Sequence, residues 1–149
     1  MSDKIINSMK IEFDARSVNE AFARTAVAAF AGQWDPKVGV IADIKTVVSE
    51  AVTNSIVHGY AGREDKGECP IYIYCRLTEN GKLTVRIKDK GVGIEDVAAA
   101  REPLYTTDTD GERSGMGFTI MESFTDGMKV KSKPGKGTCV TLEKRLNGR

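Results

Sequence analysis

The sequence predicts an α+β fold, a two-layer α/β sandwich in which a mixed, mostly antiparallel sheet carries its helices on one face. Three observations predict it. Short stretches alternate between apolar and polar residues, and two pairs of them are joined by tight glycine turns. Two long stretches with helical apolar spacing lie between the first strand and the second. Finally, 149 residues that are 40% hydrophobic can bury one sizeable core but are too few for two ordinary domains, so one domain over residues 1–149 is expected.

Taken in order, Met9, Ile11 and Phe13 alternate with Lys10 and Glu12, which predicts a half-exposed strand from Ser8 to Asp14. Ser17-Val-Asn-Glu20 has the form of a capping box and opens a helix to about Trp34. Phe22, Ala26, Ala29 and Phe30 are expected on its buried side, with Glu20 and Arg24 paired at i,i+4 on the exposed one. Asp35-Pro36 ends that helix. The next runs from about Val38 to His58, where Val40, Ile41, Ile44, Val47, Val48, Ala51 and Val52 form one broad apolar face. A polar loop with three glycines follows, then strands at Ile71–Leu77 and Leu83–Ile87 around Asn80-Gly81. A short helix from about Phe118 to Phe124 precedes a second hairpin, Met128–Ser132 and Thr138–Leu142, closed by Lys133-Pro-Gly-Lys-Gly137.

Composition excludes several classes. The net charge is +1 with no run of Lys or Arg, so no nucleic-acid or membrane partner is indicated. No apolar run approaches a membrane span and the N-terminus lacks a leader's apolar stretch, so a cytoplasmic protein is expected. Cys69, Cys75 and Cys139 form no metal-ligand pair and leave an odd one over, which fits reduced thiols used in packing.

Chemistry concentrates in four places. Glu50 and Asn54 lie one turn apart, about 40° from each other around the second helix and at the edge of its apolar arc. A carboxylate there can act as a base, and an amide oxygen one turn later suits a magnesium ion that keeps most of its waters. Asp89-x-Gly91-x-Gly93 stands at a strand end, where glycines let a ligand approach the backbone and the aspartate can accept from an exocyclic amine. Gly115-Met116-Gly117 introduces a helix whose free amides could meet phosphates. Between these two, Glu102 to Ser114 is polar and poor in aliphatics, which predicts a mobile lid over a pocket. Gly135-Lys-Gly137-Thr138 adds a tight turn entering a strand. No P-loop or protein-kinase glycine loop is present.

In this order and spacing the motifs resemble the Bergerat-fold (GHKL) ATPases, which include gyrase, the heat-shock ninety chaperones, mismatch-repair ATPases and histidine kinases. The stretch Asp43-Ile-Lys-Thr-Val-Val-Ser-Glu50-Ala-Val-Thr-Asn54 with His58-Gly-Tyr60 is similar to the small bacterial anti-sigma factor serine kinases of that group. So are Arg101-Glu-Pro-Leu-Tyr-Thr106-Thr107 and Glu112-Arg-Ser-Gly-Met-Gly117-Phe-Thr-Ile-Met-Glu122. The resemblance runs from about Ile11 to Lys144 and departs at Ala61–Glu68 and Asp108–Gly111.

It implies a protein serine kinase, using ATP and Mg2+, that also sequesters a sporulation sigma factor. Glu50 would be the general base and Asn54 the magnesium ligand. Asp89 would read the adenine amino group, with Gly91 and Gly93 shaping its pocket and Thr138 on the adenine side. Gly115, Met116 and Gly117 would present amides to the phosphates, and Thr106, Thr107, Arg113 and Ser114 would contact them from the lid. Glu20 and Arg24 would belong to the partner-binding face. The implied partners are a sigma factor, an anti-anti-sigma protein whose serine is phosphorylated, and a second copy of the chain.

In a histidine kinase the acceptor histidine normally sits on a separate dimerisation helix, whereas the chain's one histidine, His58, ends the Glu50 helix. Gyrase-like machines need transducer domains. A related stress-response anti-sigma kinase and a non-catalytic, ATP-dependent sigma-binding module are the alternatives, and a purely regulatory site would have no use for Glu50.

Overall fold

The computed structural model describes residues 4–101 and 117–147. Five strands form one sheet in the order β1-β2-β3-β5-β4: β1 Ile5–Asp14, β2 Pro70–Thr78, β3 Lys82–Asp89, β4 Gly127–Lys133 and β5 Gly137–Arg145. All four pairings are antiparallel, so the sheet is antiparallel throughout rather than mixed. The helices are α1 Asn19–Gly32, α2 Val38–Asn54, α3 Val97–Ala100 and α4 Phe118–Ser123. The one-turn α3, its Ala99 amide bonded to Asp96, was not foreseen.

Register places one set of side chains under the helices. Ile11, Ile73 and Ile87 pair across β1, β2 and β3, and Ile87 faces Val140 of β5, so alternate positions line a single face. Ile71, Ile73, Leu77, Leu83 and Leu142 are fully buried there against Ile44, Val48 and Val52 of α2. Burying each such side chain contributes roughly 1.5–3 kcal/mol. Cys69 and Cys75 are buried free thiols and Cys139 is half-buried; burial pushes the Cys75 thiol up to about 12.

α1 differs from expectation in two ways. Its buried residues are Ala23, Val27, Ala28 and Ala31, whereas Phe22 is 52% exposed and Ala29 is exposed. The small residues let α1 lie close to α2 and the sheet, and Phe22 turns aside to meet Phe13 edge-on at 6.1 Å. The capping box does not form either. Val18 is the N-cap, without a side-chain cap bond, and Ser17 meets Glu20 only through its carbonyl, at 3.2 Å. The Glu20 carboxylate is drawn away because the Arg24 guanidinium donates to both its oxygens at 2.7 Å.

The end of the second helix also departs from a simple α-helix. After Asn54 the chain widens into a π-turn over Ser55–Gly59, closed by the Tyr60 amide on the Ser55 carbonyl at 2.9 Å. Such turns occur mostly as single insertions at functional places. Here it delivers buried Ser55 and Gly59 to the end of β3.

Candidate functional site

Asp89 ends β3 on the inward face and is 3% exposed. A carboxylate withdrawn that far from water needs donors. It has three: the Ser55 hydroxyl at 2.6 Å on one oxygen, and the Gly91 and Thr138 amides at 2.9 and 3.2 Å on the other. The Ser132 hydroxyl in turn lies 2.8 Å from that of Thr138 and accepts from the Ile94 amide at 2.7 Å. Tyr60 fastens the same corner, accepting from the Lys90 amide at 2.7 Å and donating to the Pro70 carbonyl at 2.6 Å. Burial is the main reason that its phenol is pushed up to about 12.

The glycines of D-x-G-x-G are needed for contact between backbones. A Cβ on Gly91 would lie 2.0 Å from the Gly59 carbonyl oxygen, and one on Gly93 2.1 Å from that of Lys133; Gly137, in the later glycine turn, is as close to the Asp89 carbonyl. The Val92 amide reaches the Gly59 carbonyl at 2.8 Å, so the turn after β3 is bolted to the π-turn. In front of this assembly opens a cavity of about 220 Å³, lined by Asn54, Ser55, Asp89, Gly93, Thr138 and the apolar Ala51, Ile87, Ile94, Phe118 and Val140 among others. Apolar walls with a buried carboxylate among them suit a flat heterocycle carrying an amino group.

Glu50 has the opposite surroundings. It is half-buried, and among the described residues it accepts no hydrogen bond; burial raises its carboxyl above the ordinary value. Gly117, the N-cap of α4 at φ 70°, presses against it, and a Cβ there would fall 2.1 Å from Glu50 Oε1. Glu50 does not line the main cavity. It lines a shallower neighbouring cleft with Arg24, Lys45, Thr46 and Ser49, while Asn54, one turn on, faces the cavity.

The structure therefore gathers Asn54, Asp89, Gly93 and Thr138 around one space, sets Gly91 behind it, and puts Glu50 and Gly117 at its edge. Thr106, Thr107, Arg113, Ser114, Gly115 and Met116, with the lid expectation, lie outside the described residues. Arg24 and Glu20 form the expected ion pair, but Glu20 is half-buried and also takes a hydrogen bond from Ser49. Sequence reasoning missed Ser55, Gly59, Tyr60 and Ser132. For Ser55 a signal existed: it falls on the apolar arc with Ala51 and Val52, where a hydroxyl needs a partner.

Magnesium requires hard oxygen ligands. No group of three or more His, Cys, Asp or Glu side chains is placed for a metal among the described residues, so the Asn54 amide oxygen is the donor on the cavity wall that would suit one. No helix among the described residues is long and apolar enough to cross a membrane.

The sheet, the buried aspartate and the glutamate-asparagine helix define a nucleotide-binding domain, and residues 11–144 match the family described as a histidine kinase-like ATPase domain. The Anti-sigma F factor of Clostridium beijerinckii is 53% identical over 99% of this chain and 98% of its own length. That of Clostridium botulinum is 54% identical over 95% of this chain and 96% of its own. The chain belongs to the anti-sigma F factor family of these ATPase domains. Among solved structures, the RsbU and RsbW domains of Rv1364c from Mycobacterium tuberculosis share the fold, with a TM-score of 0.67 at 23% identity over 94% of this chain and 32% of that one. The family implies that the chain binds ATP.

Proposed function

We propose that the chain binds sigma F, keeping it from RNA polymerase during sporulation, and that it is a protein serine kinase that inactivates an anti-anti-sigma protein. The sigma half is supported by relatives of nearly equal length named Anti-sigma F factor. The kinase half is carried by one observation: a half-buried carboxylate, Glu50, that accepts no hydrogen bond among the described residues and stands beside a cavity lined by Asp89.

In this reading Asp89 accepts from the adenine amino group, Thr138 and Gly93 flank the base, and the phosphates extend toward Gly117. The serine hydroxyl attacks the γ-phosphorus as the bond to the β,γ-bridging oxygen breaks; the hydroxyl proton passes to Glu50 and ADP leaves. A raised carboxyl is better suited to take that proton than a fully solvated one. Magnesium held by Asn54 would supply positive charge beside the phosphates. Glu20 and Arg24 belong to the face that meets the partners, and the active species is a homodimer.

The test is affinity capture from the host with the chain loaded with ATP or ADP, probing for sigma F and mapping phosphosites on the co-purified antagonist. Retention of sigma F with ATP and one phosphoserine on the antagonist are expected. An exposed ion pair is worth about 0–1 kcal/mol, whereas an arginine anchor at an interface can cost about 2 or more. Arg24→Ala should therefore melt close to wild type yet bind sigma F about tenfold or more weakly. A variant that melts early and binds normally would assign Arg24 to the fold alone.

A further inference from the structure

The cleft beside the main cavity, about 270 Å³, has Arg24 of α1 on one wall and Lys45, Thr46, Ser49 and Glu50 of α2 on the other. On α2, Lys45 and Ser49 are one turn apart, as are Thr46 and Glu50, so the four form a double row rising ~7.5 Å to Glu50. Glu50 thus faces the cleft while Asn54 faces the nucleotide cavity. Two species can reach the same stretch of α2 from separate openings.

The cleft's polar groups are not equally available. The Arg24 guanidinium is held to Glu20, its Nη1 donating to both carboxylate oxygens, and Glu20 also takes the Ser49 hydroxyl. Thr46 donates to the Ala42 carbonyl at 3.1 Å. Lys45 is exposed and, among the described residues, makes neither an ion pair nor a hydrogen bond. One end of the cleft therefore offers an uncommitted ammonium, and the other offers a base.

Resting on the kinase reading above, we propose that this cleft receives the acceptor segment of the protein substrate and that Lys45 selects a segment with a carboxylate side chain near its acceptor serine. The charges are complementary along the cleft: a hydroxyl proton meets Glu50 while an anion ~7.5 Å away along the helix axis meets Lys45. Lysine suits this task because its ammonium is a point charge on a flexible stem, able to follow a segment that arrives in no fixed orientation.

The test uses the full chain, ATP and the anti-anti-sigma protein from the same genome, with initial rates read over acceptor concentration. Lys45→Glu should raise KM for the acceptor about tenfold or more, leaving kcat within about threefold and ATP affinity within about twofold. Lys45→Arg should behave as wild type. Exchanging the acidic residue nearest the mapped phosphoserine for Lys should raise KM with the wild-type chain and be compensated by Lys45→Glu. An unchanged KM in Lys45→Glu, a matching loss of ATP binding, or a phosphoserine with no acidic neighbour would overturn the assignment while sparing the kinase reading. A wild-type chain that binds ATP but phosphorylates no serine would remove both.

Discussion

The two ends of the site are built on contrary terms. At the Asp89 end a fully buried carboxylate is met by Ser55, Gly91 and Thr138, and its supports are bonded to one another through Tyr60, Ser132 and the Gly59 carbonyl. At the Glu50 end a half-buried carboxylate has no donor among the described residues and burial holds its proton more tightly than usual. The first is fixed by its donors; the second is left without one among the described residues. Glu20, only a helix away, makes the contrast plainer. Burial opposes its charge as well, but hydrogen bonds from Arg24 and Ser49 more than offset this and its carboxyl is held below the ordinary value. Hydrogen bonding rather than burial alone decides which carboxylate remains reactive.

That contrast can be broken from either end. The largest effect is expected from Glu50→Gln, which keeps shape and removes basicity: transfer to serine should fall by about 10²–10⁴ while ATP affinity stays within a few fold. Phosphorylation near the wild-type rate would show that Glu50 is not the base. Asp89→Asn should do the reverse, replacing one acceptor oxygen by an NH2 that faces groups which already donate, the Ser55 hydroxyl on one side or the Gly91 and Thr138 amides on the other. A cost of about 1–3 kcal/mol, or roughly 5- to 150-fold in nucleotide affinity, is expected by titration calorimetry. Ser55→Ala should weaken nucleotide binding less, by about threefold to tenfold, because two amides still hold Asp89. An unchanged ATP isotherm would make the Ser55 hydroxyl a bystander.

The smallest effect concerns stability. A carboxyl raised in the folded state favours folding while protonated, below the unfolded value near 4.5, and that contribution is lost as pH rises through its folded value. At pH 7 the ionised Glu50 therefore penalises the fold slightly, so Glu50→Gln should melt higher by no more than about 2 °C, with the gain vanishing near pH 4. Glu20 runs the other way: its lowered carboxyl adds stability above about 4.5 that is lost as pH falls through the folded value. Equal melting shifts at both pH values would mean that Glu50 is less desolvated than its place suggests.

What could be read in advance depended on periodicity and on residue types with few alternatives. The apolar arc of α2, Ile44 through Val52, located Glu50 and Asn54 at its edge because a long helix against a sheet leaves little freedom. The strands and hairpins followed likewise, although Thr78–Gly81 closes with a type of turn in which only Gly81 has positive φ. For α1 bulk is a poor guide to burial. Close helix packing preferred Ala23, Ala28 and Ala31 and left Phe22 outside. The Ser17 cap failed because Arg24 competed for the same carboxylate. The π-turn has no local signature, since its cause is tertiary: Ser55 and Gly59 are held by the end of β3 and the turn after it.

The interlocked glycines have a consequence for how such a site can change over generations. At Gly91, Gly93, Gly117 and Gly137 the first carbon of any side chain would fall 2.0 or 2.1 Å from an existing oxygen, three of these being backbone. Point substitution cannot reshape gradually the walls at Gly91, Gly93 and Gly137, because any step away from glycine there meets backbone at once, whereas at Gly117 the Glu50 side chain could swing aside. Variation in what the pocket accepts is confined to the side chains that line it, such as Ile87, Val92, Ile94 and Val140. The lineage can retune the cavity's lining while its outline stays inherited.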